Sequence, residues 1–305
     1  MVIIGYPVAV RSAQCSRRRT GGHFAATCAG LVIVALGVAA AGGPARAQSA
    51  GAPVALAPHR AVYDLKLTDS HGKRSLESAR GRIVYDFSGN ACEGYALRFR
   101  QVTELDSGEG KSVVSDLRST TWEDGAAKAF RFNSQNYMNQ DEVDSVDGQA
   151  ERQPDGVTVD LTKPERKKAG IGEAVFPAEH MRRVIAAARA GERLLELPIF
   201  DGSETGEKVY QTLTVIGRRI SPAEHKLTDV TAKEQTLASM ARWPVTISYF
   251  DRGKPAGTGE QTPVYAINFE LFENGISRAV ALDYGDFSIA GDLTALELRE
   301  TKPCK

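Results

Sequence analysis

Histidines, cysteines and a serine between glycines are the residues of this sequence whose types could do chemistry. Its five histidines are His23, His59, His71, His180 and His225. Zinc sites place histidine or cysteine ligands at short, fixed spacing. No two histidines here are so spaced, and neither H-E-x-x-H nor C-x-x-C occurs. His180 follows Glu179, but adjacent residues on a helix point in different directions, so the ordinary reading is a surface or hydrogen-bonded histidine. Gly202-Ser203-Glu204-Thr205-Gly206 loosely resembles a G-x-S-x-G elbow but lacks its spacing and its strand-to-helix setting, so it reads as a polar turn. Asp141, Glu142 and Asp144 read as a solvated face. K-P-E-R-K-K, 163–168, reads as a loop, with a partner contact as the alternative. No glycine-rich phosphate cradle is present. No catalytic, cofactor-binding or metal-binding residue is assigned. A hydrolase built from His59, His180, Ser203 and acidic neighbours would need the fold to gather them within hydrogen-bond reach in one cleft.

What Cys92 and Cys304 do depends on the compartment. The chain opens with Arg11, Arg17, Arg18 and Arg19, and its first carboxylate is Asp64. Residues 24–43 carry no charge, and P-A-R-A-Q follows. A basic start, an apolar stretch and an A-x-A site describe a secretory signal peptide over 1–47, cleaved between Ala47 and Gln48. An uncleaved anchor is the alternative, disfavoured by the Ala/Gly richness and the A-x-A site. A lipoprotein cysteine would close the apolar run, whereas Cys28 lies near its start. Arg17-Arg18-Arg19 lacks the apolar follow-on of a twin-arginine signal.

Cleavage removes five arginines and no carboxylate, so the balance of 38 basic and 38 acidic residues becomes about −5 for 48–305. That gives no footprint for nucleic acid and leaves no stable membrane span after processing. It also removes Cys15 and Cys28. In an exported protein the remaining Cys92 and Cys304 read as a disulfide, with a reactive thiol, an intermolecular bridge or inert buried thiols as alternatives.

The elements that must position these residues are strands. In A-V-Y-D-L-K-L, Ala61, Tyr63, Leu65 and Leu67 oppose Asp64 and Lys66. Tyr95, Leu97, Phe99 and Leu105 oppose Arg98, Arg100 and Glu104; Val157, Val159 and Leu161 oppose Thr158, Asp160 and Thr162. A period of two with one apolar face means half-buried strands. The same reading covers 83–87, 130–132, 209–216, 245–250 and 265–272. Ser88-Gly89, Asp124-Gly125, Asp147-Gly148, Asp155-Gly156, Asp201-Gly202 and Asn274-Gly275 read as turns, the last as a type I′ hairpin. The sum is an all-β antiparallel fold of roughly 11–14 strands. One helix is expected over 176–191, from Pro177 near its start to Gly191 at its end, with Met181, Val184, Ile185 and Ala188 on one face. Residues 223–242 fit either a short helix or an irregular crossing. Residues 48–56 read as a disordered start and 57–305 as one domain. A large sheet carrying one helix suggests a curled sheet whose concave face is filled by the helix, by side chains or by a ligand.

A-P-H-R-A-V-Y-D-L-K-L (57–67), G-R-I-V-Y-D-F-S-G-N-A-C-E-G-Y (81–95), W-P-V-T-I-S-Y-F-D (243–251) and N-G-I-S-R-A-V-A-L-D-Y-G-D-F (274–287), with a cysteine close to the C-terminus, resemble the EipB-like cell-envelope integrity proteins. The resemblance spans nearly all of 48–305. It implies a periplasmic protein, a β-spiral or open half-barrel with its main helix against the concave face, and a disulfide between Cys92 and Cys304. It also implies a fold similar to periplasmic lipoprotein carriers. It brings no catalytic residue and no cofactor. The expected activity is non-enzymatic: binding of a lipid, a lipoprotein acyl chain or a periplasmic protein partner on the curled sheet. A scaffold that docks a helical-repeat protein and an envelope hydrolase are the alternatives.

Overall fold

The computed structural model describes residues 53–71, 76–108, 110, 112–253, 261–301 and 304. The expected signal peptide and its Ala47–Gln48 site lie outside them. The described residues form β1 (His59–Ser70), β2 (Ser78–Asn90), β3 (Gly94–Asp106), β4 (Ser112–Glu123), β5 (Ala129–Met138), β6 (Asp141–Gln153), β7 (Gly156–Lys163), β8 (Lys167–Gly172), α1 (Pro177–Ala190), β9 (Leu194–Ile199), β10 (Tyr210–Ile216), α2 (Gln235–Ala238), β11 (Arg242–Asp251), β12 (Tyr265–Phe272), β13 (Ser277–Asp283) and β14 (Phe287–Leu298). The ambiguous stretch 223–242 holds a 3-10 turn, Val230–Lys233, and the four-residue α2.

All fourteen strands belong to one antiparallel sheet, ordered β8-β7-β6-β5-β4-β3-β2-β1-β14-β13-β12-β11-β10-β9. The chain meanders outward from β1 to β8, crosses through α1 to the opposite edge at β9, and meanders back until β14 pairs with β1. One parallel bridge, Val175 with Ile199, brings the chain beyond β8 against β9, so the sheet curls without closing. Hydrogen bonds from Val175 N to Pro198 O and from Phe200 N to Val175 O, 2.8 and 3.0 Å, hold that contact.

Alternation decides which face is inside. On β3, Tyr95, Leu97, Phe99 and Leu105 are buried while Arg98 and Arg100 are exposed. On β7, Val157, Val159 and Leu161 are buried. The concave face receives α1, whose Ala178, Met181, Val184, Ile185, Ala187 and Ala188 join the largest apolar cluster. A second cluster gathers Phe130, Phe132, Phe176 and Phe200, with the Phe130 and Phe176 rings stacked at 5.3 Å. α1 ends in a left-handed Gly191, where the N–H groups of Gly191 and Glu192 donate to Ala188 O and Ala187 O, a Schellman cap.

Several expected turns fall elsewhere. Gly89 lies inside β2, paired with Tyr95, and the turn is Ala91–Glu93. A side chain at Gly89 would strike Gly94 O, so glycine there permits a tight hairpin neck rather than marking the turn. Asp147-Gly148 is a register shift between β6 and β7, not a turn. Asn274-Gly275 does form a hairpin, but only Gly275 has positive φ, and Phe272 N donates to Ile276 O. This is the three-residue loop with a left-handed third position, not type I′. The two-residue turn with both φ positive is Asn139-Gln140, between β5 and β6. Of the start expected to be disordered over 48–56, residues 48–52 lie outside the described residues. Leu56 is buried against the main core, and Ala57 N donates to Asn274 O.

Candidate functional site

The mouth of the concave face is built around Glu123, the last residue of β4. α1 has Phe176 at its N-cap, with no capping side chain, and Pro177 without an N–H. The next two N–H groups, of Ala178 and Glu179, donate to the two oxygens of Glu123 at 2.6 and 2.7 Å. A buried carboxylate from another element thus caps the helix and faces the positive end of its dipole. Burial raises the Glu123 pKa to about 7, against the lowering effect of those N–H donors. Glu123→Ala should cost about 1–3 kcal/mol, the range for leaving buried donors unpaired, read as a lower midpoint in urea at unchanged slope. A loss no greater than that of an exposed substitution would count against the cap.

The cavity beside this cap is lined by Leu56, His59, Tyr85, Phe87, Tyr95, Glu123, Met181 and neighbours, and measures about 30 Å³. That holds a water or two. Here the sheet is filled by α1 and by the ring stack of His59, Tyr85, Phe87 and Tyr95.

The dispersed residues proposed for hydrolysis do not meet. His59 lies in this cavity wall, its Nδ1 2.8 Å from Ala57 O, and burial lowers its pKa to about 4. His180, on α1, is fully buried and not on the surface; its Nε2 is 3.4 Å from Thr212 Oγ1 and its Nδ1 has no partner. Burial lowers its pKa to about 3. Ser203 is bound to Asp201 through its N–H at 3.0 Å, and no hydrogen bond links it to either histidine. Among the described residues no group of three histidine, cysteine or carboxylate side chains could hold a metal. Cys92 and Cys304 form a disulfide, with Cα atoms 5.7 Å apart. In the turn that carries Cys92, Asn90 Oδ1 accepts from the N–H groups of Cys92 and Glu93.

The open site is on the other face. Outward side chains of β2–β7 line a groove of about 870 Å³. One cross-strand row runs Asp86, Arg98, Thr120, Asn133, Asp147; a second runs Ala96, Trp122, Arg131, Gln149, Asp160. The carboxylates are mostly committed. Asp86 is held by both Nη atoms of Arg299, at 2.6 and 3.1 Å, although Arg98 stands directly opposite it. Asp147 accepts from Asn133 Nδ2 at 2.8 Å and from Thr162 Oγ1. The cations are not committed. Arg98 has no hydrogen-bond or ion-pair partner among the described residues, and Arg131 only stacks on Trp122, 5.3 Å from the ring centre. The groove continues into a basin of about 470 Å³ over Arg60, Arg100, Arg118 and Gln135.

With this geometry in place, comparison with known proteins fixes the lineage. The family model described as EipB-like matches residues 50–300. The chain belongs to the EipB-like family. It is 38% identical over 261 residues to the cell envelope integrity protein EipB of Brucella abortus (strain 2308), covering 85% of this chain and 90% of that one. A crystal structure of a beta-barrel-like protein of a domain of unknown function, also from Brucella abortus, superposes with a TM-score of 0.75 at 37% identity, over 80% of this chain and 99% of that one.

Within this EipB-like chain, the groove was not legible from residue types. Alternation places Arg98 and Arg131 only as outward positions of strands. The signal that distinguishes them is the absence of a hydrogen-bond or ion-pair partner; for Arg98 that depends on Arg299, at the far end of the chain, taking Asp86, and for Arg131 on its cross-strand neighbours being Trp122 and Gln149. The groove can donate strongly through two guanidiniums that have no hydrogen-bond or ion-pair partner among the described residues, Arg131 being stacked on Trp122, and exchange hydrogen bonds through Thr120, Asn133 and Gln149. No described helix is long and apolar enough to cross a membrane.

Proposed function

We propose that this protein is a non-enzymatic binding module of the cell envelope that recognises its ligand in the outer-face groove. The relative named for envelope integrity supports the role. A disulfide supports an oxidising compartment, the periplasm, since such bonds rarely persist in the cytosol. The observation that carries the reading is the pair of uncommitted arginines in a roughly 870 Å³ groove, set against an interior mouth that holds a water or two. Photo-crosslinkers at Thr120 and Gln149, in cells, should capture a species that a crosslinker at exposed Lys233 does not. Arg98→Glu should abolish the capture. Equal capture from Lys233, or capture indifferent to Arg98→Glu, defeats the reading.

A protein-docking scaffold is the second reading, and one observation favours it. β9 is a sheet edge, and Leu194 on it is 62% exposed beside its partner Val215, 43% exposed. Open edges of this kind are templates for pairing with another chain. Capture of a protein from Leu194 and none from the groove would select it.

A further inference from the structure

The groove on β2–β7 also restricts the chemistry of what fills it, and this inference rests on the reading of that groove as a binding site. Its five-strand row from Asp86 to Asp147 spans about 19 Å at the spacing of neighbouring strands. Its polar lining is guanidinium, carboxylate, amide and hydroxyl; Ala96, Leu97, Phe132 and Gly148 line it too, with one indole whose N–H already donates to Glu93 O and whose ring is under Arg131.

Four ligand classes can be weighed against that lining. An acyl chain would strip water from Arg98, Arg131 and Asp160 and return no hydrogen bonds, which is costly. A polynucleotide or polyphosphate would meet Asp86, Asp147 and Asp160, the last without a partner among the described residues. A peptide cannot add as a strand, because the backbone groups here are consumed in the sheet ladder. Nor does the groove offer the deep apolar pocket that seats a peptide's anchor residue. What remains is a ligand with hydroxyls along its length, able both to donate and to accept, and with one negative charge for the two guanidiniums that no carboxylate engages; the lining as a whole balances three arginines against three aspartates. Hydroxyls can accept from Asn133 and Gln149 and donate to Asp147 and Asp160. The anionic group is matched by Arg98 and Arg131, because Arg299 is already engaged by Asp86.

We infer that the groove binds a short acidic glycan, its sugars along the Thr120–Asn133–Gln149 floor and its carboxylate or phosphate on Arg98 and Arg131. Such an anionic sugar could come from the cell-wall glycan or from the oligosaccharide of an envelope lipid.

The test is calorimetric titration of the disulfide-intact processed chain with three probes. One is a tetrasaccharide of alternating N-acetylglucosamine and N-acetylmuramic acid. One is a phosphate-bearing oligosaccharide released from envelope lipid. The third is neutral chitotetraose. At least one acidic probe should bind with an affinity that falls as salt is added, and at least tenfold more tightly than chitotetraose. Which acidic probe binds names the source. Arg98→Glu should weaken it at least tenfold, and Arg98→Gln, which has no partner to lose and sets no carboxylate opposite Asp86, should weaken it in the same direction with its melting temperature unchanged. Arg131→Ala should act likewise, with Arg131→Lys partly restoring binding. Equal binding of the neutral probe overturns the inference, as does binding indifferent to Arg98→Glu. If no acidic probe binds at millimolar concentration while crosslinks from Thr120 persist, the glycan assignment fails and the groove reading stands. If both are silent, both fail.

Discussion

Protein with Cys92 and Cys304 both replaced by serine should melt roughly 5–15 °C below the oxidised wild type and be cleaved faster by protease. The bond spans 212 residues of sequence. For a loop of that length the chain-entropy account gives about 5 kcal/mol, and measured values commonly fall to about 2–4 kcal/mol. The fold explains why the loss should come from the unfolded chain. Without the bond, the C-terminal segment keeps its place: β14 pairs with β1 and β13, Arg299 N donates to Pro58 O, and the Arg299 guanidinium grips Asp86 of β2. The bond lies one strand beyond that, from the β2–β3 turn to the tail past β14. The near-ultraviolet circular dichroism of the double variant at 25 °C should therefore match wild type while its melting point drops. Reduced wild type should melt with the variant. A double variant melting within a degree of the oxidised protein, or two free thiols in protein isolated from its cells under non-reducing conditions, would sink the clamp. Replacing both cysteines avoids intermolecular bridging by a lone thiol.

What could be read in the sequence follows from where each segment keeps its information. β1, β3, β7, β11 and β12 carry their own alternation, because one face of each is buried in apolar surroundings. α1 carries its own start and stop in Pro177 and Gly191. β6 carries little: its inward positions include Gly148 alongside Val146 and Ala150, and Val143 points to solvent, so it passes for a polar loop. β8 is an edge strand with no buried residue, and its lysines read as loop. Turn dipeptides misled where a glycine served close packing within a strand pair, as at Gly89, rather than a reversal. The site is harder still. The Glu123 cap acts across 55 residues, and the freedom of Arg98 is decided by a residue 213 positions beyond Asp86. Neither has any local pattern, because a partner's presence or absence exists only in the folded chain.

Replacing Glu123 by glutamine should make the protein more sensitive to mild acid, not less. Three buried groups separate the variants; the buried Asp201, whose pKa burial also raises, acts alike in all of them. His59 and His180 have native pKa values of about 4 and about 3, lowered by burial from the usual 6.5. Each contributes stability that is fully present above 6.5 and is lost as pH falls toward its native value, because the unfolded state takes the proton first. Glu123 works in the opposite sense. Its native pKa is about 7, raised by burial from 4.5, so the native state holds a proton that the unfolded state releases, and stability rises as pH falls from 7 to 4.5. Between 6.5 and 4.5 the unfolded chain binds two extra protons at the histidines and the native chain one at Glu123. Stability from these groups should then fall by about 1.4 kcal/mol per pH unit, the value for one net proton. Glutamine cannot titrate, so the variant's fall should be about 2.8 kcal/mol per unit over that window. His180→Gln should flatten the wild-type response toward zero, the one remaining histidine proton cancelling that of Glu123. Urea midpoints at pH 7.5, 6.5, 5.5 and 4.5 give the slopes, and comparing each variant with wild type removes the carboxylates common to both. A Glu123→Gln slope equal to that of wild type would mean that the capping carboxylate keeps an ordinary pKa, its two N–H donors outweighing burial.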